Sequence, residues 1–218
     1  MSKSQIKTLI AVPNMGDWKA EFGHSIFHLK RAGEMALQQE MGSLIYEARN
    51  KLAQTAMDSG ADYVLWFDAD MIFPPETFLK LYEDIQKPGV DMVTGLYFRR
   101  IPPYSPVLFE KVDVSDEGRT VDWAEPKEVP AEMFEIAGAG FGCLLMKAEV
   151  IKATLAATSQ LFTPFATVGE DLSFCWRARQ AGFHIWCDPT VTCGHVGKQI
   201  CGLDLFLAYQ QALEAAKK

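Results

Sequence analysis

The sequence predicts an α/β fold, an open and mostly parallel β-sheet with helices on its faces. Three observations carry this expectation. Apolar runs of strand length alternate with helical patterns through the first half of the chain. One run, Tyr63-Val64-Leu65-Trp66-Phe67, has no polar residue, which suits a strand covered on both faces. Turn residues mark the changes, at Pro13–Asn14, Gly60 and Pro88–Gly89.

The elements follow in order. Ile6 to Val12 reads as the first strand, Trp18 to Arg31 as a weak helix interrupted by Gly23, and Glu34 to Glu40 as a short strand. Ser43 reads as the N-cap of a helix ending at Gly60, with Leu44, Ala48, Leu52 and Ala56 as its buried stripe. The apolar strand comes next and stops at Asp68-Ala69-Asp70. Pro74–Pro75 opens a helix to about Gln86, and Val90 to Phe98 is the next strand. Five prolines and several acids between Arg100 and Pro130 predict an irregular, partly hairpin-like excursion. Phe134 to Met146 is apolar but carries Gly138, Gly140 and Gly142. Ala148 to Ala157 and Gly169 to Ala181 read as helices, Phe183 to Cys187 and Val191 to Cys193 as short strands, and Leu203 to Ala216 as a terminal helix.

Composition bounds the function. The chain has 218 residues, 49% hydrophobic and 22% charged, enough for one large domain with a substantial core. A net charge of -7 argues against a broad nucleic-acid surface. No stretch approaches the ~20 apolar residues that span a bilayer, and the polar start, Met1 to Lys7, leads into a run shorter than a signal-peptide core. The five cysteines form no CxxC pair, and Cys143 and Cys175 read as buried thiols. These features point to a cytoplasmic protein.

Three patterns could carry chemistry. Asp68 and Asp70 end the apolar strand. Burying an unpaired carboxylate is costly, so acids belong at the strand's end, where they offer hard oxygen ligands to Mg²⁺ or Mn²⁺. The same acids also suit a cap on the helix near Pro74. Glu170 and Asp171 open a helix after Gly169. They complement the macrodipole there, or Asp171 takes a proton from an acceptor hydroxyl, with the dipole holding its pKa low. His195 lies in a Gly194-His195-Val196-Gly197 turn where backbone can approach a ligand closely, and neutral imidazole partners Mn²⁺ beside carboxylates. Cys187, Cys193, His195 and Cys201 form a competing zinc set, although their spacing matches no standard pattern.

Other residues have plainer readings. Arg49, mid-helix, reads as solvated. Arg99 and Arg100 either bind an anionic group or simply end the strand, the second reading being favoured. Trp123 either stacks on an acceptor sugar or anchors its loop. Arg177 is spaced for an intrahelical network with Glu170. Met15, Gly16 and Asp17 form a polar turn.

Taken in order, these motifs resemble the GT-A-fold glycosyltransferases, particularly the family 2-like group and its small bacterial and phage-type relatives. The resemblance rests on Thr8-Leu9-Ile10-Ala11-Val12-Pro13-Asn14, Ala48-Arg49-Asn50 and the strand from Tyr63 to Met71. It continues through the glycine stretch from Gly138 to Lys147, Gly169-Glu170-Asp171-Leu172 with Phe174, Trp176 and Arg177, and Cys193-Gly194-His195-Val196. It covers residues 6 to about 198. It implies a single GT-A-like (Rossmann-like) domain over 1–218, with a nucleotide-binding half to about 98, an acceptor-binding half over about 99–200 and a C-terminal helix over 201–218.

The resemblance also implies roles. Asp70 binds the metal, Asp68 contacts the donor ribose or the metal's water shell, and His195 completes the metal shell. Asp171, beside Glu170, is the base of an inverting transfer. Pro13 and Asn14 border the nucleobase, and Arg49 approaches the base or diphosphate. Gly138 and Gly140 line a sugar and acceptor cleft where missing side chains leave room. The implied cofactors are Mn²⁺ or Mg²⁺ and a nucleotide sugar, UDP-linked first and GDP-linked second. The acceptor hydroxyl stays open among a glycan, a small molecule, a protein and a modified nucleic-acid base, and oligomeric state is not legible. Two other classes compete: a phosphoryl-transfer or nuclease-like enzyme on Asp68, Asp70, Glu170 and Asp171, and a non-catalytic nucleotide-sugar or glycan-binding module.

Overall fold

A computed structural model describes residues 6–115, 118–197 and 200–216, so Met1 to Gln5 of the polar start and Lys217–Lys218 of the terminal segment lie outside the described residues. The chain opens with β1 (Lys7–Asn14), α1 (Ala20–His28), β2 (Glu34–Met41), α2 (Ile45–Ser59) and β3 (Tyr63–Phe67). A short β4 (Met71–Ile72) precedes α3 (Thr77–Ile85) and β5 (Met92–Leu96). The middle holds β6 (Leu108–Phe109), the hairpin of β7 (Lys111–Ser115) and β8 (Thr120–Ala124), then β9 (Phe134–Ile136), β10 (Gly138–Ala139) and β11 (Cys143–Lys147). Next come α4 (Ala148–Thr158), α5 (Glu170–Gln180), β12 (Ile185–Thr192), β13 (Gly194–Val196), β14 (Ile200–Cys201) and α6 (Leu203–Ala216).

The central sheet has seven strands in the order β2-β1-β3-β11-β5-β12-β9. Strands β2, β1, β3, β5 and β12 run one way, and β11 and β9 run against them. The open, mostly parallel sheet read from the sequence is therefore present. The apolar run of β3 explains its place in the middle. Val64 and Trp66 pack into a core with Leu52, Ala56, Ile151 and Phe174 from the helices on one face. Leu65 and Phe67 alternate into a second core with Phe22, Phe78 and Leu81 on the other. Each large side chain so buried stabilises the fold by ~1.5–3 kcal/mol before entropy is counted.

Strand β11 comes late in sequence but sits between β3 and β5, antiparallel to both. Cys143 pairs with Phe67, which brings the preceding glycine stretch to the acidic end of β3. There Asp68 N–H donates to Gly142 O at 3.2 Å.

Several local expectations are corrected. Ser43 does not cap α2: the N-cap is Leu44, with no side-chain bond, and Leu44 O accepts from Glu47 and Ala48 N–H. Leu44 is 46% exposed and outside the stripe, which consists of Ala48, Leu52, Ala53 and Ala56. Gly60 does end the helix, in the left-handed conformation at φ 67° that glycine adopts without strain. The two short strands near residues 183–193 are one bulged strand, β12, whose register shifts between Asp188 and Thr192. The excursion after Arg100 is more regular than its prolines suggest, since β7 and β8 pair over their whole length. Among the described residues no helix is long and apolar enough to cross a membrane.

Candidate active site

The first motif is positioned by the end of β3. Beyond Phe67 the chain leaves the sheet, and Met71 N–H returns to Asp68 O at 3.2 Å, which closes a turn that presents both acids. Strand β4 then pairs with β13, setting His195 opposite Met71, and Val196 N–H donates to Asp70 O at 2.8 Å. The histidine thus reaches the acidic turn through a small separate sheet, β14-β13-β4.

His195 Nδ1 lies 3.0 Å from Phe98 O. A carbonyl only accepts, so Nδ1 carries the proton and Nε2 is the atom left for chemistry. Nε2 faces Asp70 Oδ1 at 3.4 Å. A neutral imidazole would set a lone pair against a carboxylate oxygen there, an arrangement that asks for a proton or a cation between them. The other oxygen, Asp70 Oδ2, accepts from Arg100 Nη1 at 2.7 Å. Burial alone would raise the Asp70 pKa, but the bond to His195, its charge and Arg100 together hold it below the ordinary carboxylate value.

Asp68 is held differently. Its Oδ1 accepts from Arg49 Nη2 at 2.7 Å, and Arg49 Nε donates to Glu170 Oε1 at 3.0 Å. Arg49 is only 3% exposed, with its guanidinium near the rings of Trp66 and Phe141. Desolvation works against its charge, but Asp68, Glu170 and Asp171 more than compensate and raise its pKa. One reading is corrected here: Arg49 is not solvated but buried, with Nε and Nη2 on two carboxylates, while its Nη1 has no hydrogen-bond partner among the described residues. Of the three expected metal residues, only Asp70 and His195 converge; Asp68 is turned to Arg49, and no ready-made three-ligand cage forms among the described residues.

Asp171 lies in the first turn of α5, two residues after the N-cap Gly169, and its Oδ1 accepts from Leu172 N–H at 2.8 Å. Burial is the largest influence on it. With the Glu170 charge, burial lifts its pKa to about 6 against the opposing Leu172 bond and Arg49. The expected dipole-lowered pKa is therefore overturned, because desolvation outweighs the helix terminus.

The glycines do not leave room. A Cβ on Gly140 would lie 1.9 Å from Tyr97 Oη, and one on Gly138 2.8 Å from Leu172. Both glycines are buried under those side chains instead of lining a sugar cleft. Tyr97, which no sequence pattern singles out, fills the space, accepts the Gly142 N–H at 3.1 Å and sets its ring edge-on to His195 at 5.7 Å.

The remaining expectations divide. Arg100 binds Asp70 and Arg99 Nη2 donates to Glu125 at 2.8 Å, so neither merely ends a strand. Arg177 binds Leu161 O, Thr163 O and Gln160 Oε1, which leaves its network with Glu170 unformed. Cys187 and Cys193 are buried and form no metal-holding group with His195 among the described residues; the Cys201 side chain lies outside what is described.

One cleft of about 380 Å³ collects the site. It is lined by Pro13 and Asn14 from β1, Arg49, the acids Asp68 and Asp70, Glu170, Asp171 and His195. This is the carboxyl edge of the parallel strands, where open α/β sheets bind ligands. Met15, Asp17, Lys19 and Arg100 complete the rim. No sequence signal marks Lys19; its backbone N–H is tied to Ala69 O at 2.9 Å, a contact between elements far apart in the chain. Asn14 is 4% exposed, and its Nδ2 has no hydrogen-bond partner among the described residues.

No curated protein matches the sequence. Many solved structures share the fold, A197 from STIV and GalNAc-T7 among them. A197 from STIV superposes with a TM-score of 0.64 at 17% identity, over 88% of this chain and 86% of that one. GalNAc-T7, in a crystal structure with UDP, GalNAc and Mn²⁺, superposes with a TM-score of 0.60 at 11% identity, over 97% of this chain and 48% of that one. The chain thus spans about half the length of the second. The model of the glycosyl transferase family 2 matches residues 40–152, which holds the acidic turn, its strand and β11, and the chain belongs to that family.

Proposed function

We propose that the chain moves a sugar from a nucleoside-diphosphate sugar to an acceptor hydroxyl, with a divalent metal and with inversion at the anomeric carbon. The observation that carries this reading is the single cleft in which Asn14, Asp70, His195 and Asp171 meet at the carboxyl edge of the sheet. Asn14 and Pro13 would border the nucleobase, and the unpartnered Asn14 amide supports a ligand there, since a buried donor without an acceptor is costly. A UDP-sugar is the first candidate donor and a GDP-sugar the second.

The donor set fits Mn²⁺ or Mg²⁺. His195 Nε2 and Asp70 Oδ1 supply one nitrogen and one oxygen, and such ions commonly take their other positions from water and phosphate. When bound, the ion would neutralise charge on the departing nucleoside diphosphate. Asp68 would stay paired to Arg49 and meet the donor ribose or the water shell. Asp171 would accept the proton of the acceptor hydroxyl. The acceptor oxygen bonds to the anomeric carbon as the bond to phosphate breaks, and that electron pair leaves on the nucleoside diphosphate. A carboxylate with a pKa of about 6 is a stronger base than a surface aspartate and is still ionised at neutral pH. Glu170 positions Arg49 and keeps the base pKa up. We further propose one catalytic unit over 1–218, with donor contacts concentrated before about residue 98, acceptor contacts between about 99 and 200, and a flanking helix over 201–218.

A thermal-shift panel of UDP, GDP, CDP and TDP, each with and without Mn²⁺, tests the reading, because a ligand that binds only the native state raises apparent stability. A Mn²⁺-dependent shift with one nucleotide supports it and names the donor base. A flat response to all of them removes it and turns attention to phosphate-ester hydrolysis.

A further inference from the structure

A second pocket, of about 310 Å³, lies on the other side of Asp171. Asp171 lines both this pocket and the donor cleft, so the residue forms part of a shared wall. The outer wall comes from the excursion after Arg100. The β7–β8 hairpin is fixed to α5 by a small apolar cluster of Phe109, Val112, Ala137 and Leu172, and by Arg179 Nη1 donating to Val112 O at 3.1 Å. At the hairpin's turn, Gly118 O accepts from Ala166 N–H at 3.1 Å, which ties in the segment leading to Thr167 and Gly169. The pocket is therefore built from elements that hold one another.

Its lining has two characters. Trp123 on β8 meets Phe109 edge-on at 5.5 Å and 84°, which sets the plane of the indole, yet stays 42% exposed. Val107 and Leu172 extend the apolar surface, while Arg99, braced by Glu125, and Asp171 supply a charged rim. A pyranose ring has the matching pair of surfaces, an apolar C–H face and an equatorial rim of hydroxyls. A nucleic acid does not match. The hairpin carries Asp113 and Asp122, its Lys111 is paired to them, and the chain's net charge is -7.

We infer that this pocket is the acceptor subsite and that it takes a saccharide, its ring stacked on Trp123 and one hydroxyl directed at Asp171. The inference rests on the glycosyl-transfer reading for the role of Asp171, and it adds the acceptor's chemical class and the residues that select it. Arg99 and Trp123 fix the ring; Asp171 takes the proton of the hydroxyl turned towards the donor cleft.

The test is saturation-transfer NMR on the full chain with methyl glycosides of glucose, galactose, mannose and N-acetylglucosamine. At least one is expected to receive magnetisation on its ring C–H protons. The signal should fall at least about fivefold in Trp123→Ala and return in Trp123→Phe, in line with the strength of an aromatic stacking contact. Thr167→Trp, which fills the pocket from an exposed position and leaves Trp123 alone, should also abolish it. No signal from any glycoside with the wild-type chain, or a signal that survives both Trp123→Ala and Thr167→Trp, overturns the inference. The nucleotide panel separates this failure from that of the parent reading. A Mn²⁺-dependent nucleotide shift without glycoside signal removes the acceptor subsite alone. A Trp123-dependent glycoside signal without any nucleotide shift keeps the saccharide pocket and removes the transfer reaction.

Discussion

Arg49 Nε donates to Glu170 Oε1 at 3.0 Å, although the two residues are 121 positions apart in the chain. The same guanidinium holds Asp68, so one buried cation joins α2, the end of β3 and the start of α5. The relative position of the Asp68 turn and the Glu170–Asp171 pair depends on this clamp.

Replacing Arg49 with Met should therefore cost stability as well as function. Removing one partner of a buried pair costs ~3–5 kcal/mol. Asp68 is 29% exposed and recovers some hydration, so a loss of about 3 kcal/mol in urea unfolding is expected. Arg49→Lys should fall between, because an ammonium cannot fork to both carboxylates. A loss below about 1 kcal/mol for Arg49→Met would show that the clamp is not structural.

Asp171 predicts opposite effects on activity and stability. Transfer should fall as pH drops through about 6, as the base becomes protonated. For stability, the folded pKa lies above the unfolded value of ~3.9. The folded chain then binds more protons between those values, so the cost of ionising Asp171 is absent below ~4 and complete above about 6. Asp171→Asn should keep nucleotide binding, lose ~10²–10⁴-fold in transfer, and gain on the order of 2 kcal/mol at pH 8 with little gain at pH 4. Unfolding curves at the two pH values check the sign, and a transfer rate near wild type would remove Asp171 as the base.

Asp70→Asn should abolish the Mn²⁺-dependent part of the nucleotide shift while the melting transition of the free chain stays cooperative. His195→Gln should weaken Mn²⁺ by at least the ~10–100-fold typical of losing an outer-shell partner, measured by titration calorimetry in the presence of the nucleotide. Mn²⁺ affinity unchanged in both variants would place the metal elsewhere.

Two glycines give a matched pair. Gly140→Ala sets a methyl against Tyr97 Oη, and the resulting displacement should cost ~1–3 kcal/mol and disturb the neighbouring His195. Gly23, within α1, faces open space, with no other side chain or distant backbone within 4 Å of an added methyl, and Gly23→Ala should stabilise by ~0.5–1 kcal/mol. Thermal unfolding of both variants reads the contrast directly.

The sequence by itself determined what depends on near neighbours in the chain. The apolar run of β3, its abrupt end at Asp68, the helix stop at Gly60 and the acids opening α5 are local patterns, and their periodicity and turn chemistry were legible. Only the tertiary structure decided the rest. Insertion of β11 between β3 and β5 filled the glycine stretch with Tyr97, where a sequence reading sees empty space. Burial turned Arg49 from a solvated helix residue into a clamp, and pairing of β13 with β4 brought His195 to Asp70 but left Asp68 to the arginine. The Asp171 carboxyl has a raised pKa because desolvation and a neighbouring charge outweigh a helix terminus. Spacing along the chain carries no measure of desolvation or of distance across the sheet, and those two quantities set the chemistry of this cleft.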